Sequence, residues 1–104
     1  MARLTQSTLD DELAAVRAYL VFAAHHHQSV TANQVAGATH AARSRLLDIF
    51  DELNRREHAA GHPLLGAIVV REKAPGPTPR FLTLARELRG ADFDWEAERA
   101  RQSR

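Results

Sequence analysis

The stretch VTANQVAGATHAARSRLLDIFDELNRREHAAGHPLLGAIVVREKAPGPTPRFLTL, residues 30–84, decides the fold. Its hydrophobic periodicity predicts a short helix, a long amphipathic helix, an apolar strand, a loop rich in proline and glycine, and a second short strand. Because helical patterns also flank the stretch, we expect an α+β fold that is mostly helical.

Two helices joined by a turn are predicted in the first half of this stretch. Thr31 is a suitable N-cap for the first helix, which we expect to end at Gly37, since glycine is common at helix C-termini. The second helix is expected to begin at Ala38 or Thr39 and to stop at Gly61. Its apolar residues share one face, which is predicted to be the core of the domain. They are Leu46, Leu47, Ile49, Phe50 and Leu53.

Two strands around a loop are predicted in the second half. Residues 64–70 form a short, apolar, β-branched run. Residues 71–80 contain three prolines, which cannot donate to a sheet, and therefore read as a loop. Residues 81–84 then return as a second strand; alternatively, a helix begins at Phe81 and only one good strand remains. The order of elements is that of a winged helix-turn-helix with a two-stranded wing.

A further helix is predicted before this stretch, over residues 9–26, with Ser7 or Thr8 as its cap. Its apolar stripe is broad, so it packs either on the rest of the domain or on a second copy of the chain. The stripe comprises Leu9, Leu13, Val16 and Leu20, widened by Tyr19, Phe22 and Ala23.

The end of the chain is predicted to be a charged helix over residues 94–102, with Trp95 as its only large apolar residue. We therefore expect a winged-helix domain over residues 1–91, which includes the N-terminal helix, and a charged helical tail over residues 92–104. Trp95 is expected to serve as a core anchor or, preferably, as an interface residue, because its neighbours are charged.

The composition bounds the class of protein. A chain of 104 residues is enough for one domain, and 44% hydrophobic with 26% charged residues is ordinary for a globular protein. The absence of cysteine excludes disulfides, thiol catalysis and cysteine-based zinc sites. No apolar run approaches the ~20 residues of a membrane span, and residues 1–7 lack a signal-peptide pattern. We therefore expect a cytoplasmic protein with no membrane partner.

Basic residues are concentrated in the middle of the chain. Residues 43–91 hold nine basic and six acidic side chains, whereas the segments on either side are each slightly acidic. A winged helix would meet DNA in this region, so we expect double-stranded DNA as the partner. The first turn of the second helix would contact bases and phosphates, and the wing would contact phosphates. The candidate residues are Thr39, His40, Arg43, Ser44, Arg71, Lys73 and Arg80.

Catalytic and metal-binding chemistry is not predicted. The run His25–His27 cannot form one chelate on a helix, since successive side chains point about 100° apart. The acidic residues 10–12 are expected to interact favourably with the positive end of a helix dipole rather than to carry out acid–base chemistry. We therefore expect a protein that is not an enzyme and that carries no cofactor and no metal.

A protein-binding adapter is the alternative function. Asp48, Asp51 and Glu52 lie along the exposed face of the predicted second helix, where they would repel phosphate. In this interpretation the first helix and the Trp95 segment would form the interface to a different protein. As a separate expectation, which is also compatible with DNA binding, the chain forms a homodimer through the first helix or the Trp95 segment.

Two short regions resemble known DNA-binding domains. Residues 62–70 with residues 81–88 resemble small bacterial domains of winged-helix type. Residues 30–36 and 41–45 are similar in layout to the DNA-binding part of alkyltransferase-like proteins. The resemblance implies that Arg43 is the recognition-helix arginine that enters the DNA. The alkyltransferase Pro-Cys-His-Arg motif is absent, so the resemblance implies a DNA-binding scaffold without alkyl transfer.

Overall fold

The computed structural model describes residues 6–102, with side chains from residue 9 onward. The elements are α1 (Gln6–His25), β1 (Val30–Thr31), α2 (Ala32–Thr39), α3 (Arg43–Ala59), a 3-10 helix (Leu65–Ile68), β2 (Val69–Val70), α4 (Pro79–Arg89) and α5 (Trp95–Arg101). Five α-helices therefore dominate the described residues, and the mostly helical α+β class is confirmed.

The small sheet of the described residues joins strands that are distant in sequence. β1 and β2 pair in parallel, with Val30 opposite Val69 and Thr31 opposite Val70. One antiparallel bridge between Val70 and Pro77 closes the loop that follows β2. The segment after α3 therefore pairs with the segment before α2, and the loop after β2 is closed by a single bridge rather than by a second strand.

The prediction of a second strand over residues 81–84 is wrong. The alternative prediction, a helix in this region, is confirmed. α4 begins at Pro79, because Thr78 is an N-cap whose hydroxyl accepts a hydrogen bond from Phe81 N at 3.2 Å. Proline at the first helical position suits such a start. Phe81, Leu84 and Ala85 are buried at the spacing of one helix face.

The predicted boundary between α2 and α3, at Gly37, is also wrong. α2 continues through Gly37 to Thr39, and His40 terminates it in the left-handed conformation with φ of 59°. Its backbone N–H donates to Ala36 O at 2.9 Å. α3 then begins at Arg43, so Thr39 and His40 lie before this helix.

The segment predicted as a strand over residues 64–70 is mainly a 3-10 helix, and only Val69–Val70 is a strand. The backbone of Gly66 lies between α3 and α4, and its N–H donates to Asn54 Oδ1 at 2.9 Å. A Cβ on this residue would lie 2.6 Å from both Asn54 Nδ2 and a ring carbon of Phe81. The close approach of three elements explains the departure from extended structure.

The main core lies between α1, α2, α3 and the 3-10 helix. Four of the five apolar residues expected in α3, namely Leu46, Ile49, Phe50 and Leu53, are buried, and the fifth is half-buried. From α1 the core receives Leu13, Val16 and Leu20, as the predicted stripe requires. Phe22, which was expected to widen that stripe, is 58% exposed.

α5 packs on the 3-10 helix and on α4. Trp95 is half-buried against a second apolar cluster, and its indole N–H donates to Ala67 O at 2.8 Å. The carboxylate of Glu98 is buried and accepts a hydrogen bond from Leu64 N at 2.6 Å. The second cluster consists of Leu64, Ala67, Phe81 and Ala85, with Leu88, Phe93 and Trp95 packed against it.

α1 starts earlier than the sequence pattern indicates. The helix already includes Ser7 and Thr8, so the prediction that one of them caps it is wrong. Asp10, Asp11 and Glu12 consequently lie beyond the first turn of the helix. Glu12 instead accepts a hydrogen bond from Arg45 at 2.8 Å, which joins α1 to α3.

A buried carboxylate also joins α1, α3 and the loop after α3. Glu57 accepts hydrogen bonds from Arg17 Nε and, at 2.7 Å, from His62 Nδ1. Burial raises the pKa of Glu57, but the hydrogen bonds from Arg17 and His62 outweigh burial, so this pKa lies below its ordinary value of 4.5. The ionised form is therefore favoured by folding.

Glu57 is expected to make the stability of the protein depend on pH. Because its pKa is lower in the folded state, its contribution is complete above pH 4.5 and is lost as the pH falls through the folded-state pKa. Glu57→Gln should lower the free energy of unfolding by about 1–3 kcal/mol at pH 7, and the deficit should shrink in acid. Urea denaturation at pH 7 and at lower pH values measures both effects.

Glu87→Gln is the matched control, because Glu87 is an exposed carboxylate of α4 that pairs with Arg55 of α3. We expect this variant to change stability by less than about 0.5 kcal/mol at either pH. If Glu57→Gln lowered the free energy of unfolding equally at both pH values, the role given to the ionised carboxylate would be contradicted.

Candidate nucleic-acid interface

The N-terminus of α3 differs from those of α2, α4 and α5. Those three helices are capped by side-chain oxygens of Thr31, Thr78 and Asp94, respectively. At the N-terminus of α3 the N-cap is Ala42, and no described side chain caps the helix. Uncapped N–H groups at the positive end of a helix dipole suit an external anion such as a phosphate.

Arg43 and Ser44 lie in the first turn of α3, where the sequence places them, and both are exposed. Arg43 Nε donates to Asn33 Oδ1 of α2 at 3.0 Å. This hydrogen bond fixes the guanidinium beside the uncapped helix end while the side chain stays open to solvent. The two residues thus combine a positive charge, a hydroxyl and a helix N-terminus.

Thr39 and His40 do not belong to that turn, which corrects their predicted position. The Thr39 hydroxyl donates to Val35 O at 2.7 Å, so Thr39 serves the end of α2. His40 is exposed in the connection between the two helices. Since it is three residues from Arg43, its Cα lies within ~11 Å of the Arg43 Cα.

The loop over residues 71–77 is folded on itself and docked on α2. Arg71 N donates to Gly76 O at 3.2 Å, and Arg71 Nη2 donates to Pro75 O at 3.0 Å. The Glu72 carboxylate accepts a hydrogen bond from Asn33 N at 3.0 Å, at the N-terminus of α2. Lys73 is exposed. The loop therefore presents its two cations from a fixed position.

Asn33 connects the loop to the start of α3. Its backbone N–H binds Glu72, and its side-chain oxygen accepts from Arg43. Asn33 and Glu72 are not predictable as site residues from the sequence, because they lie 39 residues apart and no local pattern signals their contact. The capping box of Thr31 and Gln34, which positions this end of α2, is visible in their spacing of three residues.

Arg80 is placed in the first turn of α4, beyond the loop. It donates hydrogen bonds to Asp51 at 2.8 and 3.0 Å and to Asp48 at 2.7 Å. These hydrogen bonds raise the pKa of the Arg80 guanidinium above its ordinary value. Arg80 thus pairs with two of the three acidic residues on this side of α3, and its single positive charge offsets one of their two negative charges. Glu52, the third, pairs with Arg56 at 2.7 Å.

Five of the seven sequence-predicted residues are exposed and lie in the first turn of α3, just before that helix, or in the loop docked on α2, and we call these five together the cationic face. It comprises His40, Arg43, Ser44, Arg71 and Lys73, joined through Asn33 and Glu72. Thr39 is excluded because its hydroxyl donates to Val35 O within α2, and Arg80 is excluded because its guanidinium donates to Asp48 and Asp51. The face carries three permanent positive charges against the single carboxylate of Glu72, which is directed to the N-terminus of α2.

Among the residues that the structure describes, no group of three or more histidine, aspartate or glutamate side chains is arranged to hold a metal ion. His26, in the histidine run, stacks on the ring of Phe22 with centroids 4.2 Å apart. Among the helices of the described residues, none has the length and apolar character that crossing a membrane requires.

Comparison with known proteins gives no matching family model, no matching curated protein and no matching solved structure.

Proposed function

We propose that this protein is a non-enzymatic DNA-binding protein of winged-helix type, in which the cationic face contacts the duplex. The observation that carries the proposal is the uncapped N-terminus of α3 with Arg43 and Ser44 in its first turn. A recognition helix presents this part to the major groove, and an uncapped helix end suits a phosphate.

The loop over residues 71–77 supports the proposal as a wing. It follows the strand after α3, is closed by the Val70–Pro77 bridge, and carries Arg71 and Lys73 on its exposed surface. Because Glu72 holds it on α2, the loop and the start of α3 can contact one duplex together. The loop would contribute phosphate contacts, which strengthen binding without reading sequence.

The acidic residues of α3 are the strongest argument for the adapter alternative, and their pairing weakens that argument. Asp48 and Asp51 both accept from Arg80, so an approaching phosphate would meet a cluster with one net negative charge rather than two free carboxylates. DNA binding is therefore favoured by the distribution of charge, in which the cations of the loop and of Arg43 stay exposed.

Binding to a labelled random-sequence duplex, measured by fluorescence anisotropy at two salt concentrations, tests the proposal. Arg43→Ala should weaken binding by about 1–3 kcal/mol if its guanidinium contacts a base edge. The double variant Arg71→Ala/Lys73→Ala should reduce the slope of log affinity against log salt by about one per lost phosphate contact.

Arg55→Ala is the matched control, because Arg55 is an exposed arginine on the same helix, about 18 Å along the axis from Arg43. It should leave affinity and salt slope unchanged. A parent protein that does not bind DNA at low salt would overturn the proposal. Equal losses for Arg43→Ala and Arg55→Ala would remove the start of α3 from the interface.

A further inference from the structure

The solvent face of α1 is unusual because it is mostly not charged. The side of the helix opposite the core presents two alanines and one phenylalanine in its middle part, at spacings of three and four residues. These residues are Ala15, Ala18 and Phe22, all of which are exposed.

Phe22 is the one large hydrophobic side chain of the described residues that is strongly exposed, at 58%. Its ring stacks on His26, whose Nδ1 lies 2.9 Å from Phe22 O, so the ring is held in place on the helix surface. An ordered, exposed aromatic beside small residues suits burial at an interface.

The two ends of this face carry different ionisable groups, a carboxylate at one end and imidazoles at the other. Asp11 is exposed near the N-terminal end, and His25 and His26 are exposed near the C-terminal end, about 22 Å away along the helix axis. A helix with this arrangement is complementary to a second copy of itself that runs in the opposite direction. The antiparallel arrangement also opposes the two helix dipoles.

We propose that α1 is a homodimer interface in which two copies of the helix pack antiparallel about a two-fold axis near Ala18 and Tyr19. In this arrangement Phe22 of each copy covers the alanines of the other copy, where small side chains permit a close approach of the helices. Asp11 of each copy approaches the histidines of the other, so each end of the interface places a carboxylate against imidazole groups that can donate hydrogen bonds to it.

The proposed dimer interface is independent of DNA binding, because the solvent face of α1 includes no residue of the cationic face. Its test therefore needs no nucleic acid. Sedimentation equilibrium of the full chain at pH 5.5, from about 1 to 200 μM, should show a monomer–dimer equilibrium. Phe22→Ser should raise the dimer dissociation constant at least tenfold, with an unchanged circular dichroism spectrum because the side chain is outside the core.

A charge exchange tests the antiparallel direction. Asp11→Lys and His26→Glu should each raise the dissociation constant severalfold, because each places like charges at both ends of the interface. The double variant Asp11→Lys/His26→Glu should restore most of the affinity, since it exchanges the two charges without changing their complementarity. Glu87→Lys, at an exposed position of α4, is the control and should not change the equilibrium.

A parent chain that remains monomeric throughout this concentration range would overturn the proposal. So would a dimer that Phe22→Ser does not weaken, since another surface would then form it. A double variant that is weaker than both single variants would overturn the antiparallel pairing.

Discussion

Replacement of Phe50 by alanine is expected to lower the free energy of unfolding by about 3–5 kcal/mol. Phe50 lies in α3 within the main core and is only 8% exposed. Truncation removes its apolar contacts and leaves a cavity that well-packed neighbours fill only in part. Since a domain of this size has a total stability of roughly 5–15 kcal/mol, the urea midpoint should fall sharply.

Phe22→Ala is the control with the same chemistry in the opposite environment. Its ring is 58% exposed on α1, so truncation should change stability by less than about 0.5 kcal/mol in dilute protein. Equal urea midpoints for the Phe50→Ala protein and the parent would show that α3 is not central to the core.

Gly66→Ala is expected to be the most damaging of the glycine substitutions, with a loss of about 2–3 kcal/mol or more. The added methyl would lie 2.6 Å from Asn54 Nδ2 and from the Phe81 ring, so the 3-10 helix must move away from α3 and α4. That movement also strains the hydrogen bond from Gly66 N to Asn54 Oδ1, which is buried. Thermal denaturation followed by circular dichroism measures the loss.

Gly37→Ala is the control, because Gly37 is an exposed residue within α2 and nothing lies within 4 Å of the added methyl. Alanine has the higher helix propensity, so this variant should be more stable than the parent by about 0.5–1 kcal/mol. If both variants were destabilised equally, the cause would be the loss of glycine itself rather than the close packing around Gly66.

Elements whose signals are local could be predicted from the sequence. The buried face of α3 follows from the spacing of Leu46, Ile49 and Phe50. Thr31, which was predicted to be the N-cap, correctly marks the start of α2. In each case, neighbouring residues carry both the pattern and the contacts that enforce it.

Elements that depend on distant contacts were predicted poorly. Gly37 looks like a helix end, but α2 continues until His40 adopts the left-handed conformation, which histidine adopts far less often than glycine. Residues 64–70 have a strand composition, yet Asn54 and Phe81 shape them into a 3-10 helix around Gly66. Tertiary packing overrides intrinsic propensity at these positions.

The candidate site shows the same division. Arg43 and Ser44 could be placed on the first turn of α3 from sequence, and Arg71 and Lys73 on an exposed loop. The sequence gives no sign that Arg80 pairs with aspartates 29 and 32 residues away. Charge counts alone therefore overestimate the number of cations that a polyanion would meet.

The parallel pairing of β1 with β2 has a consequence for the speed of folding. Val30 and Val69 are separated in the chain by α2, α3 and the 3-10 helix, so their strands cannot form as a local hairpin. Helical turns form in about a microsecond or less, whereas a pairing of this sequence separation must await closure of the whole intervening segment. We expect α1, α2 and α3 to acquire helical structure early, and docking of the segment that contains the 3-10 helix and β2 to limit the overall folding rate.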